Sequence, residues 1–391
     1  MPSWKKIGLG AVLVLGVAAI GVFTVAPGIV EDGQNRMIAH DPWPVSPEAK
    51  ALHARLDIAD WHADSLLWHR DLTKRSSRGH VDLPRLTEGN VAVQVFTAVT
   101  KSPAGLNYDQ NSAETWDNIT SLALVQRWPS ATWTSLYARA IHQAERLHGF
   151  EAADPAALAI VRDRAGLEAV LARREAGEEV TAGILGIEGM HALDGDLANL
   201  DGLWDAGYRT FGLTHFFDNK LGGSLHGEAN GGLSDFGRQV VQAVLAKGGI
   251  IDVAHASPRM VRDVLEMGVA PVILSHGGVH VHCPRKRNID DALMVMIAET
   301  GGVIGMGYWE EAACGASPAE IVAAMDAAIA LMGEDHVSLG SDYDGAVEVA
   351  FDTSELAALT HEMLALGWSE ERIAKVMGGN QIRVLREALP Q

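Results

Sequence analysis

The sequence predicts a (β/α)₈ barrel, an α/β fold in which eight parallel strands alternate with helices. Three observations support this prediction. Eight apolar runs with strand character follow one another along the chain. Most of them are continuous instead of alternating, which is typical of strands buried on both faces of a parallel sheet. Segments with helical periodicity and helix-capping residues lie between several of these runs.

The eight apolar runs share a length of about seven to ten residues and most end in a polar residue. They are Leu56–His62, Val91–Thr100, Ala182–Gly189, Tyr208–His215, Gly249–His255, Ala270–His276, Gly301–Tyr308 and His336–Asp342. Helices are predicted at Leu233–Lys247, Pro258–Met267, Pro318–Met332 and Ser369–Met377. Ser257 and Ser317 each precede a proline at the first helical position, which is a common way for a helix to begin.

The connection between the second and third runs, from about residue 101 to 181, is too long for one crossover helix. It predicts a helical insertion after strand 2, which includes Ser112–Gln126 and Trp133–Leu147. The barrel with its insertion is expected to occupy residues 51–391.

The N-terminus carries a charge-free run, residues 7–30, between Lys5-Lys6 and Glu31-Asp32. The run is long enough to span a bilayer, and the flanking charges favour an N-terminus inside and a folded body outside. We expect residues 1–30 to be a transmembrane anchor, in preference to a cleaved signal segment, and residues 31–50 to be a linker. Either alternative exports the body, which would be inner-membrane anchored and periplasmic, or free in the periplasm after cleavage.

Composition excludes several classes of protein. The 391 residues are 48% hydrophobic and 21% charged, as in a globular chain. The formal net charge of −19 excludes nucleic acid as a partner, since the two would repel each other. Some carboxylates are expected to be neutralised by bound metal cations.

The two cysteines, Cys283 and Cys314, have no Cys-x-x-Cys spacing. A thiolate zinc site and a disulfide framework are therefore excluded as organising devices. Two unpaired thiols are favoured, while one disulfide in an oxidising compartment stays open as the alternative.

Metal-ligating residue types recur where the predicted strands end. In order they are His62 and Asp64, Glu188, His215, His255, His276 and Asp342. Each alone is more typical of a polar strand end than of a ligand. Because barrel strands bring their C-terminal ends to one mouth, the set as a whole predicts a metal centre there.

Charge and residue type indicate roles. His62 and Asp64 are expected to hold one metal ion, and His255 and His276 a second. Glu188 has two oxygens and would bridge them, as two-metal sites require. A bridging water would be acidified and serve as a hydroxide nucleophile near neutral pH.

Three further residues are expected to act on the substrate. Asp342 would take the water's proton and pass it to a leaving amine, and His215 would donate to the developing oxyanion. Arg287 would clamp a substrate carboxylate through its planar guanidinium. Alternatives stay open: the run Arg285–Arg287 is also typical of a solvated loop, and Asp344 competes with Asp342. His226 is a weaker candidate for the pocket wall.

Eight segments of the chain together resemble the membrane (renal-type) dipeptidases, which are metallopeptidases of the amidohydrolase-like barrels. The resemblance extends over about residues 50–388. The matching segments are Asp60–Asp64, Gly186–Gly189, Leu213–Phe216, Ile251–Ser257, Ser275-His276, Arg287-Asn288, Gly340–Gly345 and Gly379-Asn380. The loop Phe216–Gly231 resembles the bacterial branch of the family. Animal members carry a C-terminal lipid anchor, whereas this chain has an N-terminal apolar run.

The resemblance implies the same assignments: two Zn²⁺ per chain held by His62, Asp64, Glu188, His255 and His276, substrate contacts from His215 and Arg287, and proton transfer by Asp342. It also implies hydrolysis of dipeptides with a free carboxyl end, in some members with a C-terminal D-residue, and is compatible with a homodimer.

The sequence thus predicts a binuclear zinc dipeptidase. The first alternative is a barrel hydrolase of the same superfamily that acts on another small amide or ester. Such enzymes often bridge their metals with a carboxylated lysine, and Glu188 in that place counts against them. The second alternative is a non-catalytic metal-binding relative.

Overall fold

The computed structural model describes Gly21 and residues 23–391. Within these residues the strands are two to nine residues long and, apart from the first, the last and the partly buried strand Leu158–Ile160, they are buried throughout. They are β1 Arg36–Met37, β2 Ile58–Ala63, β3 Val91–Val99, β4 Leu158–Ile160, β5 Thr181–Glu188, β6 Tyr208–Gly212, β7 Ile250–Asp252, β8 Val272–Gly277, β9 Val303–Met306, β10 Val337–Leu339 and β11 Glu348–Val349.

Eight of these strands close into a barrel. The hydrogen-bonded order runs β3-β2-β10-β9-β8-β7-β6-β5, and β3 also pairs with β5, which completes the ring. Every pairing is parallel. All eight predicted apolar runs therefore supply one barrel strand each, and the TIM-type α/β fold is confirmed.

Helices surround the barrel. Their bounds are Pro47–His53, Leu83–Glu88, Asn118–Val125, Leu136–Ala153, Arg164–Glu175, Asn199–Ala206, Asp235–Lys247, Pro258–Glu266, Asp291–Glu299, Glu310–Ala313, Pro318–Met332, Ala357–Ala365, Glu370–Ala374 and Asn380–Ala388. The hydroxyls of Ser257 and Ser317 accept from the third amide of their helices, as the Ser-Pro pattern predicts. The predicted last helix is interrupted, because a π turn at Lys375–Gly379 separates two helices.

The predicted insertion after the second barrel strand is present, with its main helices at Asn118–Val125 and Leu136–Ala153. It also contains the short strand β4, which the sequence analysis does not predict. This strand pairs with the first residues of β5, outside the ring.

The two cysteines are joined by a disulfide, with their Cα atoms 5.4 Å apart. The expectation of two unpaired thiols is therefore wrong. The bond connects the loop that carries Arg287 to the end of helix Glu310–Ala313. Cys283 and Cys314 are 31 residues apart in sequence, so only the folding of the chain between them brings the two sulfurs together.

The segment between the N-terminal run and the barrel contacts the body at several points. Residues 23–34 are helical, and β1 pairs in parallel with β11. Trp43 donates its indole N–H to the Ala350 carbonyl at 3.0 Å. Most of the predicted transmembrane run lies outside the described residues. Among the residues that are described, no helix is both long and apolar enough to cross a bilayer.

Candidate metal centre

The residues predicted from the strand ends meet at one mouth of the barrel. His62 is the penultimate residue of β2, Glu188 ends β5 and His276 is the penultimate residue of β8. Because all barrel strands run in parallel, these ends face one another. The other members lie just beyond a strand, and all are buried. They are Asp64, His215, His255 and Asp342.

Glu188 lies at the centre of this group. Its Oε1 is 3.1 Å from Nε2 of His255 and 3.5 Å from Nε2 of both His62 and His276. Its Oε2 is 3.3 Å from Nε2 of His215. One carboxylate therefore faces four imidazole rings, each through the same ring nitrogen.

The remaining contacts divide the ligands into two sides. On one side, Nε2 of His62 is 3.4 Å from Asp64 Oδ1 and 3.8 Å from Asp342 Oδ1. On the other, the Nε2 atoms of His255 and His276 are 2.8 Å apart. The rings of His62 and His276, with centroids 3.9 Å apart, join the two sides, and Glu188 contacts both.

Burial governs the protonation of the histidines. It lowers the pKa of His215 to about 4 and holds the pKa of His255 and His276 well below the usual range. These rings are therefore neutral, which is the form that binds metals. Burial also opposes charge on His62, but the carboxylates of Asp64, Glu188 and Asp342 outweigh it and raise the pKa of His62 to about 10.

The pKa values of Glu188 and Asp342 are both raised. Burial raises the pKa of Glu188 well above its usual range, and nearby Asp64 raises it further. Burial also raises the pKa of Asp342 to about 8, with Asp64 contributing in the same direction. Several buried negative charges close together are unfavourable unless cations compensate them.

The donor set fits divalent metal ions. Three overlapping groups each place their ligand atoms within 4.8 Å of one another: His62–His276–Asp342, Glu188–His215–His255 and His62–Asp64–Glu188. The buried atoms Nε2 of His62 and Oε2 of Glu188 have no hydrogen-bond partner. Imidazole nitrogens with carboxylate oxygens suit zinc-like metals, and a cation would satisfy both unpaired atoms and the surplus negative charge.

The comparison with known families agrees with this geometry. The model of the family described as membrane dipeptidase, peptidase family M19, matches residues 46–389. The chain belongs to this family. The M19 match covers every strand of the barrel and all of the residues gathered around Glu188.

Individual M19 relatives are similar over different extents. The chain is 34% identical to "Dipeptidase aclJ" of Aspergillus oryzae over 212 residues, 52% of this chain and 50% of that protein. It is 31% identical to "Dipeptidase 3" of Macaca fascicularis over 220 residues, 52% of this chain and 44% of that protein. The chain thus spans about half the length of these curated relatives.

A solved structure matches over a larger share. It is a metallo peptidase from Rhodobacter sphaeroides, liganded with a phosphinate mimic of the dipeptide L-Ala-D-Ala. The TM-score is 0.68 with 25% sequence identity, and the match covers 85% of this chain and 99% of that one.

Two aspartates support the predicted ligands from behind, and the sequence analysis assigns no role to either. Asp60 Oδ1 accepts from the His62 amide at 2.9 Å and Oδ2 from the Ser341 amide at 3.0 Å. Asp252 Oδ1 accepts from the Ala254 amide at 2.9 Å and the Ser275 amide at 3.0 Å. Asp60 thus links the ends of β2 and β10, and Asp252 links the ends of β7 and β8. An aspartate inside the apolar run, two or three residues before the histidine, is the one sequence signal for them, and it does not indicate which amides they bind.

Asp344 does not belong to the centre. Its Oδ2 accepts from Ser65 at 2.6 Å and from Arg70 at 2.5 Å, and its Oδ1 accepts from the His80 amide at 2.7 Å. Burial by itself would raise the pKa of Asp344, but the Arg70 guanidinium and the other partners outweigh it, so the pKa is lowered. Asp342 and Asp344 lie in the same loop but have different surroundings, and of the two only Asp342 faces His62.

A cavity of about 670 Å³ opens over the centre. Asp64, Glu188, His215, His255 and Asp342 line its floor, and Arg287 lines it beside them. Arg287 is buried instead of solvated, and it donates to the His276 carbonyl at 2.6 Å.

Aromatic residues that the sequence analysis misses form another part of the wall. They are Trp68, Tyr108, Phe216 and Trp309. His226, the weaker pocket candidate, stacks on Phe216 with ring centroids 4.9 Å apart and points Nδ1 at the Tyr108 carbonyl, 2.7 Å away. It therefore supports the wall from behind. Tyr108 comes from the insertion, so no local pattern in the sequence indicates its position.

Proposed function

We propose that this M19 protein is a binuclear zinc dipeptidase that hydrolyses the peptide bond of dipeptides with a free C-terminal carboxylate. The observation that carries the proposal is the arrangement of four imidazoles around Glu188 on the floor of a cavity that also contains buried Arg287. Family membership and the liganded relative support the same reading.

Five residues would hold the metals. His62 and Asp64 would bind one ion, His255 and His276 the other, and Glu188 would contact both. When bound, two such ions supply Lewis acidity that activates a water and polarises the peptide carbonyl. The neutral state of His255 and His276 suits this role, because a protonated imidazole does not bind metal.

Asp342 and His215 would act on the reacting atoms. The Asp342 carboxylate lines the cavity, and burial raises its pKa and hence its affinity for protons. It would take the proton of the attacking water and deliver it to the leaving amine. His215 is oriented by the contact between its Nδ1 and the Lys101 carbonyl, 3.2 Å apart. Because the Lys101 carbonyl only accepts, the neutral ring carries its proton on Nδ1. Donation from Nε2 to the substrate carbonyl oxygen would require a second proton on the ring, which the negative charge developing on that oxygen would favour.

Arg287 would bind the free carboxylate of the substrate. We expect Arg287→Lys to raise KM for a dipeptide by about 10- to 100-fold with a smaller change in kcat, since lysine lacks the planar fork that pairs with both oxygens. The measurement is KM and kcat for a dipeptide and for the same dipeptide as its C-terminal amide.

The amide provides the control for this effect. It has no carboxylate, so the variant and the wild type should bind it almost equally. An identical loss on the acid and on the amide would show that Arg287 only supports the cavity wall through its bond to the His276 carbonyl.

The proposed function is tested on the wild-type chain by metal analysis and by hydrolysis of a dipeptide panel. We expect about two zinc ions per chain, as the bridged site requires, and turnover of L-L dipeptides, with L-D dipeptides showing whether a C-terminal D-residue is accepted. Bound metal without turnover of any dipeptide would contradict the proposal and favour another small amide or ester. A folded protein that binds no metal would contradict the mechanism altogether.

Export to the periplasm is part of the proposal. It is supported by the apolar run at residues 7–30 with its flanking charges, and by the Cys283–Cys314 disulfide, because such bonds persist in oxidising compartments.

A further inference from the structure

The segment that precedes the family match also reaches the cavity. We call residues 23–38 the N-terminal arm; it comprises the helical residues 23–34 and the strand β1, and it ends before the M19 match begins at residue 46. Pro27, Glu31 and Asn35 are buried and lie four residues apart, so one helix face packs on the body. Ile29 lies on the opposite face and is 64% exposed.

Buried polar contacts attach this helix face to the loop that carries Asp342 and Asp344. The Glu31 carboxylate pairs with the Arg70 guanidinium, which also donates to Asp344 Oδ2. Glu31 and Asp344 are each at most 1% exposed, so the network is shielded from water. Asn35 Oδ1 accepts from the Ala346 amide at 2.9 Å. The arm is therefore fixed to the loop that carries Asp342.

A neighbouring stripe of the arm faces the cavity. Val30 and Gln34 are four residues apart and line the same cavity as the residues around Glu188. Further side chains of this lining are apolar: Leu67, Leu106, Ile119, Leu122 and Val125. The charged groups at the floor thus meet an apolar wall to which the arm and the insertion both contribute.

This division is typical of a ligand site in which a few polar groups orient the ligand and apolar walls receive the rest of it. We infer that the N-terminal arm is part of the substrate site, and that Val30 helps form a subsite for an apolar side chain of the dipeptide. The inference rests on the proposed function and extends it to a substrate class, dipeptides with one large apolar residue.

The test compares Val30→Trp with Ile29→Trp in the full chain. Both positions are exposed and adjacent, but only Val30 lines the cavity, so Ile29→Trp is a matched control for the added indole. The substrates are Gly-Gly, Leu-Gly and Gly-Leu. We expect Val30→Trp to lower kcat/KM at least about tenfold for the better leucine dipeptide, because the indole occupies the subsite, and to change Gly-Gly less than about twofold.

Ile29→Trp should leave all three substrates unchanged, and bound metal should be equal in the three proteins. If Val30→Trp does not fold, Val30→Ala replaces it, and the expected result is a selective rise in KM for the leucine dipeptide. Equal effects on Gly-Gly and the leucine dipeptides, or no effect on any, would overturn the inference. A wild type that hydrolyses no dipeptide would contradict the proposed function itself, which is a different result.

Discussion

Replacement of Glu188 by glutamine is expected to abolish activity and metal binding together. The carboxylate faces the Nε2 atoms of four histidines at 3.1–3.5 Å, so it contacts both predicted metal pairs. Glutamine keeps the shape but replaces one oxygen with an amide nitrogen that cannot bind a cation. We expect kcat/KM to fall by at least about 10³-fold and metal content to drop below about one ion per chain.

The measurement is metal analysis of the purified variant beside its kcat/KM for a dipeptide. The matched control is Glu175→Gln, an exposed glutamate at the end of helix Arg164–Glu175. It should retain full metal and full activity. Retention of two metals by Glu188→Gln would show that His62, Asp64, His255 and His276 hold them without a bridge, and the proposed ligand set would have to be abandoned.

The second large effect is expected at Asp342. Asp342→Asn removes the group that would transfer the proton but keeps its size. We therefore expect kcat to fall by about 10²- to 10⁴-fold, the usual contribution of general acid–base catalysis. The metals should remain bound, because His62, Asp64 and Glu188 still surround that side of the centre. The thermal midpoint should not fall, since the change removes a buried carboxylate from a cluster of like charges.

Asp344→Asn in the same loop should give the opposite result. It weakens a buried ion pair with Arg70 and is expected to cost about 3–5 kcal/mol of unfolding free energy. Thermal denaturation and steady-state kinetics on the two variants separate these effects. If Asp342→Asn lowered the thermal midpoint as much as Asp344→Asn and kept its kcat, the proton-transfer role would be wrong.

The strand positions could be predicted because their cause is local. A parallel strand covered on both faces needs an uninterrupted apolar stretch, and the chain contains eight of them in order. A metal ligand at the end of such a stretch is equally visible. Since the fold class brings all strand ends to one mouth, convergence of His62, Glu188 and His276 followed from the fold prediction and needed no coordinates.

The supporting residues were beyond that reasoning. Asp60 and Asp252 act through amides of a neighbouring strand end, and Tyr108 reaches the cavity from the insertion. Such contacts depend on how far loops extend and how neighbouring strands are aligned. The backbone of His255 and Asp342 is also left-handed, with φ of 61° and 59°. The residue type alone does not predict that conformation, because the surrounding contacts impose it.

By itself, the sequence determined the barrel, the order of its strands and the set of residues that surround Glu188. The physical reason is that apolar periodicity and residue type are properties of short segments. Only the tertiary structure decided which of Asp342 and Asp344 faces the centre, whether Cys283 meets Cys314, and where the N-terminal arm packs. These outcomes depend on contacts between residues that are distant in sequence. Such contacts stabilise the fold only once the distant segments have come together, so no single segment predicts them.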